Sequence, residues 1–245
     1  MLAIIGGSGL YSLGEDFELE TQVVRNTVFG NTSSDILVGF WNGIQVAFLP
    51  RHGPGHQVPP HRINYRANIW ALRERGVEKI LAVNAVGSIA DNMPPACLVL
   101  PDQIVDYSWG RDATFFDGED GEVRHVDFTW PYSQSLRECV LKTAQQIDVP
   151  LVATATYACT NGPRLETAAE IARLRNDGCD IVGMTGMPEA VLARELEIEY
   201  ASIAVVVNWA AGIEGQPITM DDILRNMEQG IDRLKPLLRA TLDQM

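Results

Sequence analysis

A chain of 245 residues with 46% hydrophobic content can bury one substantial core, and its formal charge of −13 argues against holding nucleic acid or an anionic membrane by bulk electrostatics. No apolar run approaches membrane-spanning length, and Met1 to Gly7 lacks a basic leader region, which predicts a cytoplasmic protein without a signal peptide. Cys97, Cys139, Cys159 and Cys179 are widely spaced with no C-x-x-C pair, so neither a zinc cluster nor a disulfide framework is written into the chain.

In chain order, Leu2 to Ile5 predicts a short strand that runs into Gly6-Gly7-Ser8-Gly9-Leu10, a turn able to expose backbone N–H groups to a phosphate. The dinucleotide spacing and the following helix are missing, so a Rossmann oxidoreductase is disfavoured. Ile44 to Leu49 alternates as a second strand and delivers Pro50-Arg51-His52-Gly53-Pro54-Gly55-His56, with His61 close behind. Three imidazoles invite a metal, but Arg51 would repel a cation and no carboxylate completes a ligand set. An Arg fork with a neighbouring His donor suits an oxyanion better.

Arg62 to Arg75 has helical spacing, with Ile63, Ala67, Trp70 and Ala71 on one face and Gly76 as the stop. Lys79 to Val83 predicts a central strand leading to Asn84-Ala85-Val86-Gly87-Ser88. Asn84 either orients the Ala85 N–H or holds a loop. Pro94 to Gly121 is the least regular region, and Ser133 to Ile147 reads as an amphipathic helix.

The stretch from Thr160 to Glu189 twice places polar residues where a strand gives way to a helix, which is where open α/β sheets bind ligands. Gly162-Pro163 turns the chain, Thr167 with Glu170 forms a capping box, and Glu166 sits just before that cap. The Glu166 carboxylate either accepts a hydrogen bond from a ligand N–H or complements the helix dipole. Thr185, in Gly183-Met184-Thr185-Gly186, precedes a helix opened by Pro188 and either holds an anion or serves as an ordinary cap. Ala201 to Val207 is a near-continuous apolar run, the mark of a strand covered on both faces, and it ends at Asn208. Residues 213 to 218 form a Gly/Pro loop before a last helix capped by Thr219 and Asp222, which Pro236 should kink or break.

These motifs resemble the trimeric purine nucleoside phosphorylase and methylthioadenosine phosphorylase family over nearly the whole chain. The resemblance implies one α/β domain over residues 1 to 245, a mixed twisted β-sheet flanked by helices in the nucleoside phosphorylase fold. It implies a homotrimer acting on a small purine nucleoside, with inorganic phosphate as co-substrate and no metal or other cofactor. Ser8, Arg51, His52, the Ala85 N–H and Thr185 match the family's phosphate contacts. Met184 would line the ribose, and His125 would reach across to a neighbour's sugar pocket. Leu165 stands where the family places an aromatic against the base.

Ionised Glu166 only accepts, so it matches the N1–H of a 6-oxopurine and repels the bare N1 of adenine. Asn208 can donate to O6 and accept from a protonated N7. The adenine-specific branch carries carboxylates near Asn208, where this chain has Asn208 and Ala210. Met220 stands where ordinary nucleoside phosphorylases place a 5′-hydroxyl-binding His, and with Ile223 and Leu224 it predicts a soft apolar wall for a thioether. The expectation is phosphorolysis of S-methyl-5′-thioinosine, with Asn208 and Glu166 carrying the leaving base. Inosine or guanosine and methylthioadenosine are the alternative substrates.

Overall fold

The computed structural model describes residues 1–7, 18–19, 26–118 and 121–245. Ser8, expected at the phosphate site, lies outside the described residues. In chain order the elements are β1 (Leu2–Gly6), β2 (Glu18–Leu19), β3 (Asn26–Thr27), β4 (Gly30–Asn31), β5 (Leu37–Trp41), β6 (Ile44–Pro50), α1 (Tyr65–Glu74), β7 (Lys79–Ser88), β8 (Leu98–Val99) and β9 (Gln103–Asp106). They continue with α2 (Gln134–Gln146), β10 (Thr156–Cys159), α3 (Ala168–Asn176), β11 (Ile181–Gly183), α4 (Glu189–Glu195), β12 (Glu199–Trp209) and α5 (Met220–Leu242).

Ten strands form one mixed sheet in the order β2-β5-β6-β1-β7-β11-β10-β9, with β12 pairing β7 and β8. Alternate residues of the central strands feed two cores. Ala3 and Ile5 join Ile69, Leu72 and Leu192 on one face, while Leu2 and Ile4 join Leu136, Ile231 and Leu234 on the other. That period of two is what a strand covered on both faces requires. Helices α1 and α4 pack together, as do α2 and α5, so the sheet is flanked by helices as the sequence predicts.

The site is opened by a change of partner along β7. Its first half pairs in parallel with β1, from Lys79 to Ala82, and its end pairs antiparallel with β11, at Gly87 and Ser88. Residues 83–86 on that edge therefore lie between two partners, while the opposite edge stays paired to β12. Ala85 is accordingly exposed in a strand that is otherwise buried beyond its first residue.

Several local expectations are corrected. The first helix begins at Tyr65 rather than Arg62, because Asn64 accepts from the Ala67 N–H as its cap and residues 60–62 form a 3-10 turn. Pro236 neither stops nor breaks α5, which runs through it to Leu242. Leu234, Leu237 and Leu238 are buried around it, and tertiary burial outweighs one lost backbone bond. The irregular region also hides β8 and β9.

Candidate functional site

A cavity of about 200 Å³ opens at the β7 gap and collects residues from seven separate stretches of chain. Arg51, His52, Ala85, Leu165, Glu166, Met184, Thr185, Asn208 and Ile223, all singled out in the sequence, line it together. Residues more than 150 positions apart converge because β1, β6, β7 and β12 run parallel toward the gap while β10 and β11 reach it from the opposite direction.

At the cavity floor, Arg51 is 1% exposed and is more constrained than a free anion fork. Its Nε and Nη2 donate to the two Glu189 carboxylate oxygens, each at 2.7 Å, and its Nη1 donates to the Val83 carbonyl at 2.9 Å. Burial works against its charge, but the Glu189 carboxylate more than offsets this and holds the guanidinium protonated. Two of its five N–H protons are left without a partner among the described residues. Because the Val83 carbonyl faces the gap and backbone direction repeats every second residue, the Ala85 N–H faces it too.

His52 differs from the expected donor. Its Nδ1–H donates to the Val58 carbonyl at 2.8 Å, which leaves Nε2 of the neutral ring as an acceptor. Burial, then the Arg51 charge, push its pKa down to about 4. His56 also lines the cavity and lies over His52 with ring centroids 4.1 Å apart, and burial lowers its pKa as well.

Thr185 is held by Asn84, whose Nδ2 donates to its Oγ1 at 2.7 Å while the Ser202 hydroxyl donates to Asn84 Oδ1. Since Thr185 Oγ1 accepts there, its own proton is left to donate, to the neighbouring Tyr157 hydroxyl or to a ligand. Asn84 therefore orients Thr185 rather than Ala85.

Two loops form the other wall. Glu166 Oε1 accepts from the Thr160 hydroxyl at 2.6 Å, which fixes the carboxylate and leaves its second oxygen to the cavity. Asn208 follows a bulge at which β12 slips one residue against β7, between Val206 and Asn208. Such a bulge re-aims a side chain, and here it turns the amide into the cavity. One Nδ2 proton goes to the Trp209 carbonyl at 2.7 Å, so the other proton and Oδ1 remain for a ligand. A Cβ on Gly87 would come within 3.2 Å of this amide, so a glycine keeps the space open. The loops also touch each other. Gly162 has a φ of +61°, and a Cβ there would sit 2.4 Å from Met184 Sδ.

The expected 5′ wall is only partly assembled. Ile223 lines the cavity, joined by Ile218, but Met220 and Leu224 are 65% and 60% exposed and do not. Both lie in phase with the buried Met227 and Ile231 on α5. Gly230 packs against Val205, and Asn226 bonds the Val207 carbonyl, so the first turns of α5 overhang the end of β12. His125 is exposed and outside the cavity lining.

The sequence profile of the phosphorylase superfamily matches residues 1–243. The chain belongs to the phosphorylase superfamily. Among similar proteins, a probable S-methyl-5′-thioinosine phosphorylase of Xylella fastidiosa strain 9a5c is 54% identical over 227 residues, covering 92% of this chain and 95% of that protein. The 6-oxopurine nucleoside phosphorylase of Pyrococcus furiosus is 46% identical over 246 residues, covering 98% and 91%. A solved structure of a variant of the Schistosoma mansoni adenosine/methylthioadenosine phosphorylase, in complex with methylthioadenosine, superposes with a TM-score of 0.93 at 30% identity, covering 99% and 90%.

Within this superfamily chain, sequence reasoning missed the residues that hold the site from behind. Arg111 donates to the carbonyls of Asn161 and Met184, each at 2.9 Å, and to that of Met187 at 2.5 Å, so one guanidinium joins both loops. Glu189 and Tyr200 brace Arg51. His56 was noticed in the sequence but left without a place.

Proposed function

We propose that this enzyme is a pentosyltransferase that cleaves S-methyl-5′-thioinosine with inorganic phosphate, giving hypoxanthine and 5-methylthioribose 1-phosphate in purine and methylthioadenosine salvage. The observation that carries the reading is that oxyanion donors and a purine-reading amide and carboxylate line one cavity. A superfamily match over residues 1–243 and relatives named for 6-oxopurine and methylthioinosine phosphorolysis support it.

In this reading Ser8, Arg51, the Ala85 N–H and Thr185 hold phosphate below C1′ of the sugar, while His52 Nε2 accepts from the phosphate's own hydroxyl. Proximity and the anion's charge then stabilise the cation-like sugar as the glycosidic bond stretches. A phosphate oxygen forms the new bond to C1′, and the electron pair of the broken C1′–N9 bond passes to the purine. N7 takes a proton from solvent as the bond breaks, Asn208 Oδ1 accepts from that N7–H, its free Nδ2–H donates to O6, and Glu166 accepts from N1–H. Met184 and Leu165 flank the ribose and base. No metal, organic cofactor or covalent enzyme intermediate is required.

The enzyme would act in the cytoplasm as a homotrimer. A neighbouring chain would supply His125 to the site and cover the exposed turn carrying Met220 and Leu224. Comparing kcat/KM for methylthioinosine, inosine and methylthioadenosine tests the substrate. An apolar 5′ wall should favour methylthioinosine over inosine by up to about a hundredfold. A preference for methylthioadenosine would overturn the 6-oxopurine assignment.

A further inference from the structure

Behind Arg51 lies a carboxylate that no reacting group touches. Glu189 is fully buried at the start of α4, and its Oε1 accepts from both Arg51 Nη2 at 2.7 Å and the Tyr200 hydroxyl at 2.8 Å. Its Oε2 accepts from Arg51 Nε at 2.7 Å. Both partners of this ion pair are 1% exposed. A buried pair of this kind is expensive in desolvation, and apolar residues of equal volume would fill the space as well. What apolar residues could not do is fix a planar fork along two parallel bonds. Arg51 lines the cavity and Glu189 does not, so the carboxylate grips the guanidinium from outside the lining while two N–H protons stay uncommitted.

We propose that Glu189, braced by Tyr200, is the positioning residue that aims Arg51 at the phosphate. The inference rests on the phosphate role proposed for Arg51. Without Glu189 the guanidinium could rotate toward Val83 or the Tyr200 hydroxyl, and the anion would meet a misplaced fork. A rival account makes the opposite prediction. If the carboxylate acted on the anion chiefly as a like charge, its removal would strengthen phosphate binding.

The test measures KM for phosphate at saturating nucleoside and KM for nucleoside at saturating phosphate in E189Q, R51A and the double variant, with thermal midpoints alongside. E189Q should raise the phosphate KM at least about tenfold, as misplacing a binding group by a fraction of an ångström does, while the nucleoside KM stays within about twofold. In the R51A background E189Q should add nothing further. A phosphate KM that falls, stays unchanged, or rises together with the nucleoside KM would overturn the proposal. If R51A itself leaves the phosphate KM unchanged, the phosphate site has been misassigned, and Glu189 loses its role with it. Should E189Q not fold, Y200F keeps the ion pair and removes one hydroxyl. A rise of about threefold confined to the phosphate KM then supports the positioning role, and no change overturns it.

Discussion

His52 combines a committed Nδ1 with a bare Nε2, and this single ring makes stability depend on pH. Its pKa is about 4 in the folded chain, against an ordinary value of 6.5. Between those values the unfolded chain binds a proton that the folded chain refuses, so stability falls as pH drops from about 6.5 to about 4. Urea midpoints at pH 7, 5.5 and 4.5 should decline in the wild type and decline less steeply in His52→Gln; parallel slopes would contradict the assignment. Asn208→Ala should lower kcat/KM by about a hundred- to a thousandfold, the usual effect of removing a group that stabilises developing charge. His56→Ala, which removes a ring lying against His52 and no group assigned to the purine, should cost less than about tenfold, and equal losses would mean the amide has been misread. Asn208, Thr185 and Glu166 were legible because polar residues at strand ends stand out against apolar runs. Glu189, Arg111 and Tyr200 were not, because they act on other side chains or on main-chain carbonyls, and no sequence spacing encodes those partners.

Among the elements, α5 and β12 were the plainest in the sequence, one by its helical stripe and the other by its near-continuous apolar run. Their contact is tight. A Cβ on Gly230 would lie 2.2 Å from Val205 Cγ1, inside any allowed separation. Gly230→Ala should therefore destabilise the fold by about 1–2 kcal/mol, since overpacking exceeds the gain of about 1 kcal/mol from helix propensity. Val205→Ala in that background should recover part of the loss in urea unfolding, and a stabilised single variant would contradict the packing account. Loop geometry was less legible. Strands β8 and β9 hide in a proline-rich stretch because two to four residues are too few to show a period. Arg111, from that stretch, tethers the Asn161 and Met184 loops. Arg111→Lys keeps the charge but not the fork, and should lower kcat/KM by about ten- to a hundredfold with a smaller change in thermal midpoint. A loss of stability without loss of activity in the folded fraction would sink that reading.

For the whole molecule, the gap along β7 explains why one cavity gathers residues from both ends of the chain. The overhanging turn of α5 carries Met220 and Leu224 in phase with buried residues yet exposed, and Trp109, Val123 and Trp130 are exposed too. In the proposed homotrimer a neighbouring chain would cover Met220 and Leu224. Light scattering should give a mass of three 27.0 kDa chains, and a single-chain mass would contradict the trimer.

The central claim is that phosphate, not water, takes the sugar. Phosphorus-31 NMR of the purified protein with S-methyl-5′-thioinosine and inorganic phosphate should show one new sugar 1-phosphate signal, growing in step with released hypoxanthine and absent when phosphate is left out. Base release at an undiminished rate without phosphate, or with no new phosphorus signal, would contradict the account.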